Sequence, residues 1–232
     1  MVTVLITHFE LDSERLAVIS ECMENYGVGD PAAEWPNNII SRRAVVYGSG
    51  VIARRGAPIQ HAVDPEELAL CHRLAAEAMQ QISGVDVGMG SESCDPFRGF
   101  FISANGSPSP AGINETLIRS RFGDTLFPPV YVTVEPLAAR GIWWAEVKAD
   151  GIESESEAEY FAPWRAMIQW FQVCSEFVDV AFIRIGNGAL RGLPEEQWPD
   201  GTELTGCVFP RLALGLTRSG SLVGLFGYCV QT

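Results

Sequence analysis

Residues 207–230 of the chain, CVFPRLALGLTRSGSLVGLFGYCV, contain two apolar runs separated by a short polar segment. The runs 207–216 and 222–230 have the length of strands and are rich in residues that strands favour. Between them, the segment RSGS at 218–221 has the composition of a tight turn. The stretch therefore predicts an antiparallel hairpin.

A second hairpin is predicted earlier in the chain, where apolar residues 44–47 and 51–53 flank Gly48-Ser49-Gly50. Glycines supply the positive φ angles that such a turn requires. The same residues match the dinucleotide pattern G-x-G-x-x-A, which needs a helix to start inside it. Gly56 and Pro58 would stop such a helix, so the hairpin is the preferred interpretation.

The clearest helix signal follows at Asp64, where an N-cap residue precedes Pro65 and Glu67 stands three residues after the cap. Residues at helical spacing then form one apolar face: Leu68, Cys71, Ala75, Ala78, Met79 and Ile82. Two further helices are predicted, one over 12–26 and one whose first turn is marked by Pro163.

Short apolar runs with turn residues between them predict additional strands at 2–8, 98–104, 129–135, 141–148 and 178–185. The helices do not alternate regularly with the strands, which argues against a doubly wound parallel fold. The sequence therefore predicts an α+β fold with a mixed or largely antiparallel sheet of seven to eight strands and three main helices. We expect one domain over 1–232, with the loop at 105–114 as the only plausible division.

The six cysteines are scattered through the chain and form no C-x-x-C pair, which is typical of reduced thiols in a cytoplasmic protein. The first apolar stretch has no basic leader before it, so we interpret it as a strand and not as a secretory signal. No apolar run reaches the roughly 18 residues that span a bilayer.

The net charge of −13 repels phosphate backbones and anionic lipid, so neither nucleic acid nor membrane is an expected partner. A basic protein partner is compatible with this charge, and the oligomeric state stays open. No Walker or hydrolase motif is present, and the three histidines lack metal-ligand spacing. We therefore expect no cofactor and no metal.

Cys94 is the one cysteine in a polar, glycine-rich loop, which makes it the candidate reactive thiol. The neighbouring acids Glu92 and Asp95 would disfavour its thiolate, so a structural turn is the simpler interpretation.

Four arginines flank the strands of the first predicted hairpin, and they form a candidate anion-binding site: Arg42, Arg43, Arg54 and Arg55. Counting outward from the turn places Arg43 opposite Arg55, and like charges facing each other across strands are destabilising. An anion or an internal carboxylate is therefore expected between them.

An acidic segment near two adjacent tryptophans is a candidate partner-binding surface, consisting of Trp143, Trp144, Glu153, Glu155, Glu157 and Glu159. If residues 141–148 form a strand, one of the two tryptophans faces outward and can anchor an interface that the acids surround.

Two functions are compatible with these features. The preferred one is a non-catalytic acidic protein-binding module, such as an inhibitor or immunity-type partner of a basic protein. The alternative is a small-anion-binding protein or enzyme that uses the arginine-rich hairpin at 42–55.

Overall fold

The computed structural model of the chain describes residues 44–54, 57, 64–83, 85, 89, 96–126, 130–148, 157–186 and 208–230. The strands are β1 (Ala44–Val46), β2 (Ile52–Arg54), β3 (Arg98–Ile102), β4 (Val132–Pro136), β5 (Phe177–Ile185), β6 (Val208–Thr217) and β7 (Leu222–Val230). The helices are α1 (Pro65–Gln81), α2 (Glu115–Phe122), α3 (Ile142–Lys148) and α4 (Glu157–Val173), and a 3₁₀ turn follows α2 at Gly123–Thr125. The α+β class with antiparallel pairing is confirmed. The described part holds four α-helices, of which two were predicted, while the predicted helix over 12–26 and the predicted strand at 2–8 lie outside the described residues.

The predicted C-terminal hairpin is β6–β7, and it occupies the inner part of the main sheet, whose strand order is β3-β7-β6-β5-β4. All neighbouring strands in this sheet are antiparallel. Its turn closes through a hydrogen bond of 2.8 Å from Thr217 N to Ser221 O, and Gly220 adopts a φ of 93°. The sheet is therefore built outward from two strands that are neighbours in the sequence.

Helices cover both faces of the main sheet. Successive side chains of each strand point to opposite faces, so both faces carry apolar residues that need to be covered. Ile183 and Leu212 pack with α2 and with the β1–β2 hairpin on one face. Phe182 and Ala213 pack with α1, α3 and α4 on the other face. Each face thus has its own hydrophobic layer, with the sheet between them.

The first predicted hairpin is confirmed as β1–β2, in the predicted register, with Ala44 opposite Arg54. Its turn contacts the end of β3, where Ser103 N donates to Gly50 O at 3.1 Å. Gly50 has a φ of 81°, and a Cβ there would lie 2.6 Å from the Phe101 ring. Only glycine fits this position without moving its neighbours.

Helix α1 begins as predicted, with Pro65 in its first turn and Asp64 as the N-cap. The Asp64 carboxylate accepts hydrogen bonds from the backbone N–H groups of Glu66 and Glu67 at 3.0 and 3.4 Å. These bonds satisfy donors that have no partner inside the helix.

The prediction of a strand at 141–148 is wrong, since residues 142–148 form α3. Its N-terminus is capped by Glu135 of β4, whose Oε2 accepts from Ile142 N at 3.1 Å and Trp143 N at 3.4 Å. Trp143 and Trp144 are 0% and 6% exposed, so the expectation that one of them faces outward is also wrong. The Trp143 ring stacks on Phe182 at 4.3 Å between centroids, which places α3 directly on the sheet.

Two other helices differ from the sequence prediction. No element was expected over 115–122, yet α2 forms there, because the Asn114 side chain accepts from Leu117 N at 2.9 Å and caps it. Helix α4 begins at Glu157, so Pro163 lies inside the helix and does not mark its first turn.

The loop predicted as a possible domain division lies between elements of one sheet. Strand β3 precedes residues 105–114, and it pairs with β7, which follows them. The loop also bonds to the body of the protein, since Ile113 N donates to Asp179 Oδ2 at 2.7 Å. A single domain over 1–232 stays a prediction.

Two arginines and two glutamates form an ionic cluster between α3 and the sheet. Arg184 lies 2.6 Å from Glu135 Oε1 and 2.9 Å from Glu146 Oε1. Arg211 is fully buried, and its Nε lies 3.1 Å from Glu146 Oε2. Glu146 therefore connects arginines of two adjacent strands to α3.

No helix in the described part of the chain is long and apolar enough to cross a membrane.

We predict that Glu146→Ala strongly destabilises the fold, because it leaves the buried Arg211 guanidinium without a carboxylate. Removing one partner of a buried ion pair typically costs about 3–5 kcal/mol. Urea unfolding followed by circular dichroism would measure the loss.

The matched control is Glu176→Ala, which removes a carboxylate from a surface pair with Arg73 at 2.8 Å. Hydrogen bonding by Arg73 lowers the pKa of Glu176 to about 2, yet solvent screens this exposed pair. A Glu146→Ala protein no less stable than Glu176→Ala would show that the ionic cluster does not hold α3.

Candidate binding site

A cavity of about 70 Å³ opens where four separate parts of the chain meet. Ser49 of the β1–β2 turn, the first two turns of α1, residues 103–107 after β3, and Ser219 of the β6–β7 turn line it. Small-molecule sites usually measure about 300–1,000 Å³. The cavity therefore has the size of a side-chain head group and not of a metabolite.

Glu67 is the central acidic group of this cavity. Its Oε1 accepts a hydrogen bond of 2.8 Å from Thr217 Oγ1 and lies 3.8 Å from the donating Cys71 Sγ. A capping-box glutamate would bond back to the backbone of its own helix start. Glu67 instead ties α1 to the end of β6, 150 residues away in the sequence.

Thr217 is buried, and its hydroxyl has a complete set of partners. It donates to Glu67, it accepts from Ser221 N at 3.1 Å, and its oxygen lies 3.1 Å from Ser219 Oγ. Because a carboxylate can only accept, the Thr217 proton is directed to Glu67, and Ser219 must be the donor to Thr217. A directed chain of hydrogen bonds therefore runs from Ser219 through Thr217 to Glu67.

The cavity wall after β3 is held in place from several sides. Ala104 N donates to Ser221 Oγ at 3.1 Å, and Ala104 O accepts from Ser107 N at 2.9 Å. Arg121 of α2 donates to Ala104 O at 2.7 Å and to Gly220 O at 3.0 Å. Burial lowers the pKa of Arg121. Its bonds join the two loops that border the cavity.

Ser103 carries an unusual hydroxyl in this wall. Its backbone N–H bonds to Gly50, but its Oγ is shielded from solvent and has no hydrogen-bond partner among the described residues. A buried hydroxyl without a partner costs about 1–3 kcal/mol. Such a group next to a cavity is a candidate ligand contact.

The charge around the cavity is negative. Asp64 and Glu67 line it, and Glu66 is exposed in the same helical turn. No arginine, lysine or histidine is among the described residues that line it. The carboxylates outweigh the partial positive charge of the helix N-terminus, which amounts to about half an elementary charge. The cavity is therefore suited to a cation and not to an anion.

The predicted arginine site is described only at Arg54. Its Nε lies 3.3 Å from Asp124 Oδ2, and its Nη2 donates to Asp124 O at 2.9 Å. Arg42, Arg43 and Arg55 lie outside the described residues. The anion site thus stays a prediction, with one of its four arginines bonded to a carboxylate of the chain itself.

The predicted partner surface is not brought together as expected. Both tryptophans belong to α3 and are buried, while Glu159 is exposed in the first turn of α4. Glu157 begins α4, and Glu153 and Glu155 lie outside the described residues. The burial of Trp143 and Trp144 gives no support to a partner surface anchored on them, and the role of the acids stays a prediction.

Three of the six cysteines are described, and none of the three forms a disulfide: Cys71, Cys174 and Cys229. Burial raises the pKa of the Cys229 thiol. Burial also raises the pKa of Cys174, which is partly exposed and donates to Glu176 Oε2 at 3.4 Å. The candidate reactive thiol, Cys94, lies outside the described residues.

Within the described ranges, no group of three or more acidic, histidine or cysteine side chains could hold a metal ion.

No protein-family model matches the chain, and no curated protein is significantly similar to it in sequence. The interpretation of the cavity therefore depends on its geometry and chemistry.

The cavity is not evident from the sequence, because its residues are far apart in the chain. Glu67 was interpreted only as part of a helix cap, and Ser103 and Ser219 as parts of a strand and a turn. One weak signal was present, since Ser103 is a polar residue directly after the apolar strand β3.

We predict that Cys174 is the first of the three described thiols to react with iodoacetamide in the folded protein. It should still react more slowly than an exposed model thiol, because its raised pKa leaves less thiolate at neutral pH. Its rate should keep rising with pH above the ordinary thiol pKa. Peptide mapping by mass spectrometry would follow each site, and equally fast labelling of Cys71 in the folded protein would contradict the burial described here.

Proposed function

We propose that the protein is a non-catalytic binding module for a basic protein, and that the cavity beside Glu67 accepts a basic side chain of that partner. The observation that carries the proposal is the cavity itself, which combines carboxylates, hydroxyl groups and the volume of a side-chain head group. Interfaces concentrate their binding energy in such pockets, where one anchoring side chain is removed from water.

The charge distribution supports the same proposal. The described residues carry twelve acidic and eleven basic side chains, so they contribute almost nothing to the net charge of −13. The excess of acid therefore belongs to the rest of the sequence, including Glu153 and Glu155 of the acidic segment. We infer that these acids speed the encounter with a basic partner, as charges at the rim of an interface do.

The alternative function, binding of a small anion by the arginine-rich hairpin, receives less support. Arg54 is already paired with Asp124, and the cavity next to the hairpin turn is acidic. An anion at this cavity would face carboxylates without a compensating cation among its described lining residues.

We predict that Glu67→Gln weakens the binding of a peptide rich in lysine, arginine and glycine about tenfold, because a hydrogen bond to a charged group is lost. Glutamine keeps an oxygen that can accept from Thr217, so the fold should be preserved. Isothermal titration calorimetry at low and at physiological salt would measure the affinity.

The matched control is Glu66→Gln, which removes the same charge one residue away from a side chain that does not line the cavity. We expect it to change the affinity only slightly, and less as salt is added. Equal losses for both variants would mean that the peptide responds to overall charge, and the proposed site would be wrong.

A further inference from the structure

We infer that the cavity selects the ammonium group of a lysine side chain over the guanidinium group of an arginine. This inference rests on the proposed function, since it specifies the side chain that the basic partner presents. It follows from the number and direction of the hydrogen-bond acceptors that the cavity leaves open.

Glu67 has one carboxylate oxygen that remains available to a ligand. Its Oε1 already accepts from Thr217 Oγ1 at 2.8 Å and, more weakly, from Cys71 Sγ at 3.8 Å. No bond to Oε2 is made by any described residue, so Oε2 is the oxygen left for a ligand. Arginine binds a carboxylate best through two parallel bonds to both oxygens. Glu67 cannot offer that arrangement, whereas an ammonium needs only one oxygen.

Ser219 offers a hydrogen-bond acceptor to the cavity. Because its proton is directed to Thr217, its oxygen keeps lone pairs and can act only as an acceptor toward the cavity. A lysine ammonium carries three donors and no acceptor, which complements a site of this kind.

The hydroxyl of Ser103 is the third acceptor in the inferred site. Ser103 lines the cavity, and its Oγ is shielded from solvent and has no hydrogen-bond partner among the described residues. The inference requires the hydroxyl to turn about χ1 to another staggered rotamer when the ligand binds. An ammonium there would give the hydroxyl the partner it lacks. Glu67, Ser219 and Ser103 belong to three different segments that line the cavity, and the inference requires each of them to accept one of the three ammonium donors.

The remaining lining suits the rest of a lysine side chain. Leu68 borders the cavity beside Glu67 and is only partly buried. Lysine places its methylene stem along apolar surface while its charged end binds polar groups. The stem would therefore contact Leu68, and the ammonium would reach the acceptors beyond it.

The test is a titration of the ¹⁵N-labelled protein with three capped peptides, acetyl-Gly-Lys-Gly-amide, its arginine analogue and its norleucine analogue. We expect the lysine peptide to shift the amide signals of Glu67 and Ser219 and to bind at least about tenfold more tightly than the arginine peptide. The norleucine peptide, which has the stem without the charge, should not bind measurably.

Two variants separate ligand binding from folding. Ser103→Ala should bind the lysine peptide about tenfold more weakly, yet it should unfold at the same or a higher urea concentration, because the hydroxyl it removes has no partner. Ser175→Ala is the control, since it changes an exposed serine that does not line the cavity, and we expect no change in affinity.

Equal affinities of the lysine and arginine peptides, with the same dependence on Glu67, would overturn the selection of lysine and leave the proposed function standing. Unchanged affinity of Ser103→Ala for the lysine peptide would overturn the three-acceptor geometry. If neither peptide binds and Glu67→Gln has no effect on the longer basic peptide, both the inference and the proposed function are wrong.

Discussion

The hydrogen bond between Thr217 and Glu67 is the constraint on which the candidate site depends. It joins the first turn of α1 to the last residue of β6, and these two points are 150 residues apart in the sequence. Strand β6 is central and buried, so Thr217 has little freedom to move. The bond therefore fixes where Glu67 lies and directs the proton of Ser219. Without it, the cavity would have neither a defined shape nor a defined pattern of acceptors.

At the opposite end of the same face of the main sheet, ion pairs position helix α3. Glu146 joins Arg184 and Arg211 beneath α3, and Glu135 both pairs with Arg184 and caps that helix. A buried ionic cluster of this kind is weak evidence for added stability, because desolvation offsets much of the attraction. Its geometric effect is clearer, since α3 has seven residues and would not be stable alone. The cluster determines where this short helix lies on the sheet.

Local signals predicted the parts of the fold that local interactions determine. Asp64 and Pro65 correctly predicted the start of α1, and the turn residues of the first hairpin gave its correct register. The C-terminal hairpin was predicted as a hairpin without a register, and it forms as β6–β7. The predictions that were wrong or missing have a common cause. Contacts between residues far apart in the sequence determine these parts of the structure. Trp143 and Trp144 suggested a strand, but their helix is capped by Glu135 of a neighbouring strand, which the sequence around 141–148 cannot reveal. The cavity was missed for the same reason, because Glu67, Ser103 and Ser219 meet only after the sheet has formed.

The most direct test of the central claim is to locate the lysine side chain in its complex with the protein. In a nuclear Overhauser experiment with the capped lysine peptide, its labelled stem protons would report which residues they approach. The geometry predicts contacts from the ε-methylene to the β-protons of Ser219 and from the inner stem to the methyl groups of Leu68. Contacts to the first turn of α4 near Glu159, with none to Leu68 or Ser219, would contradict the account.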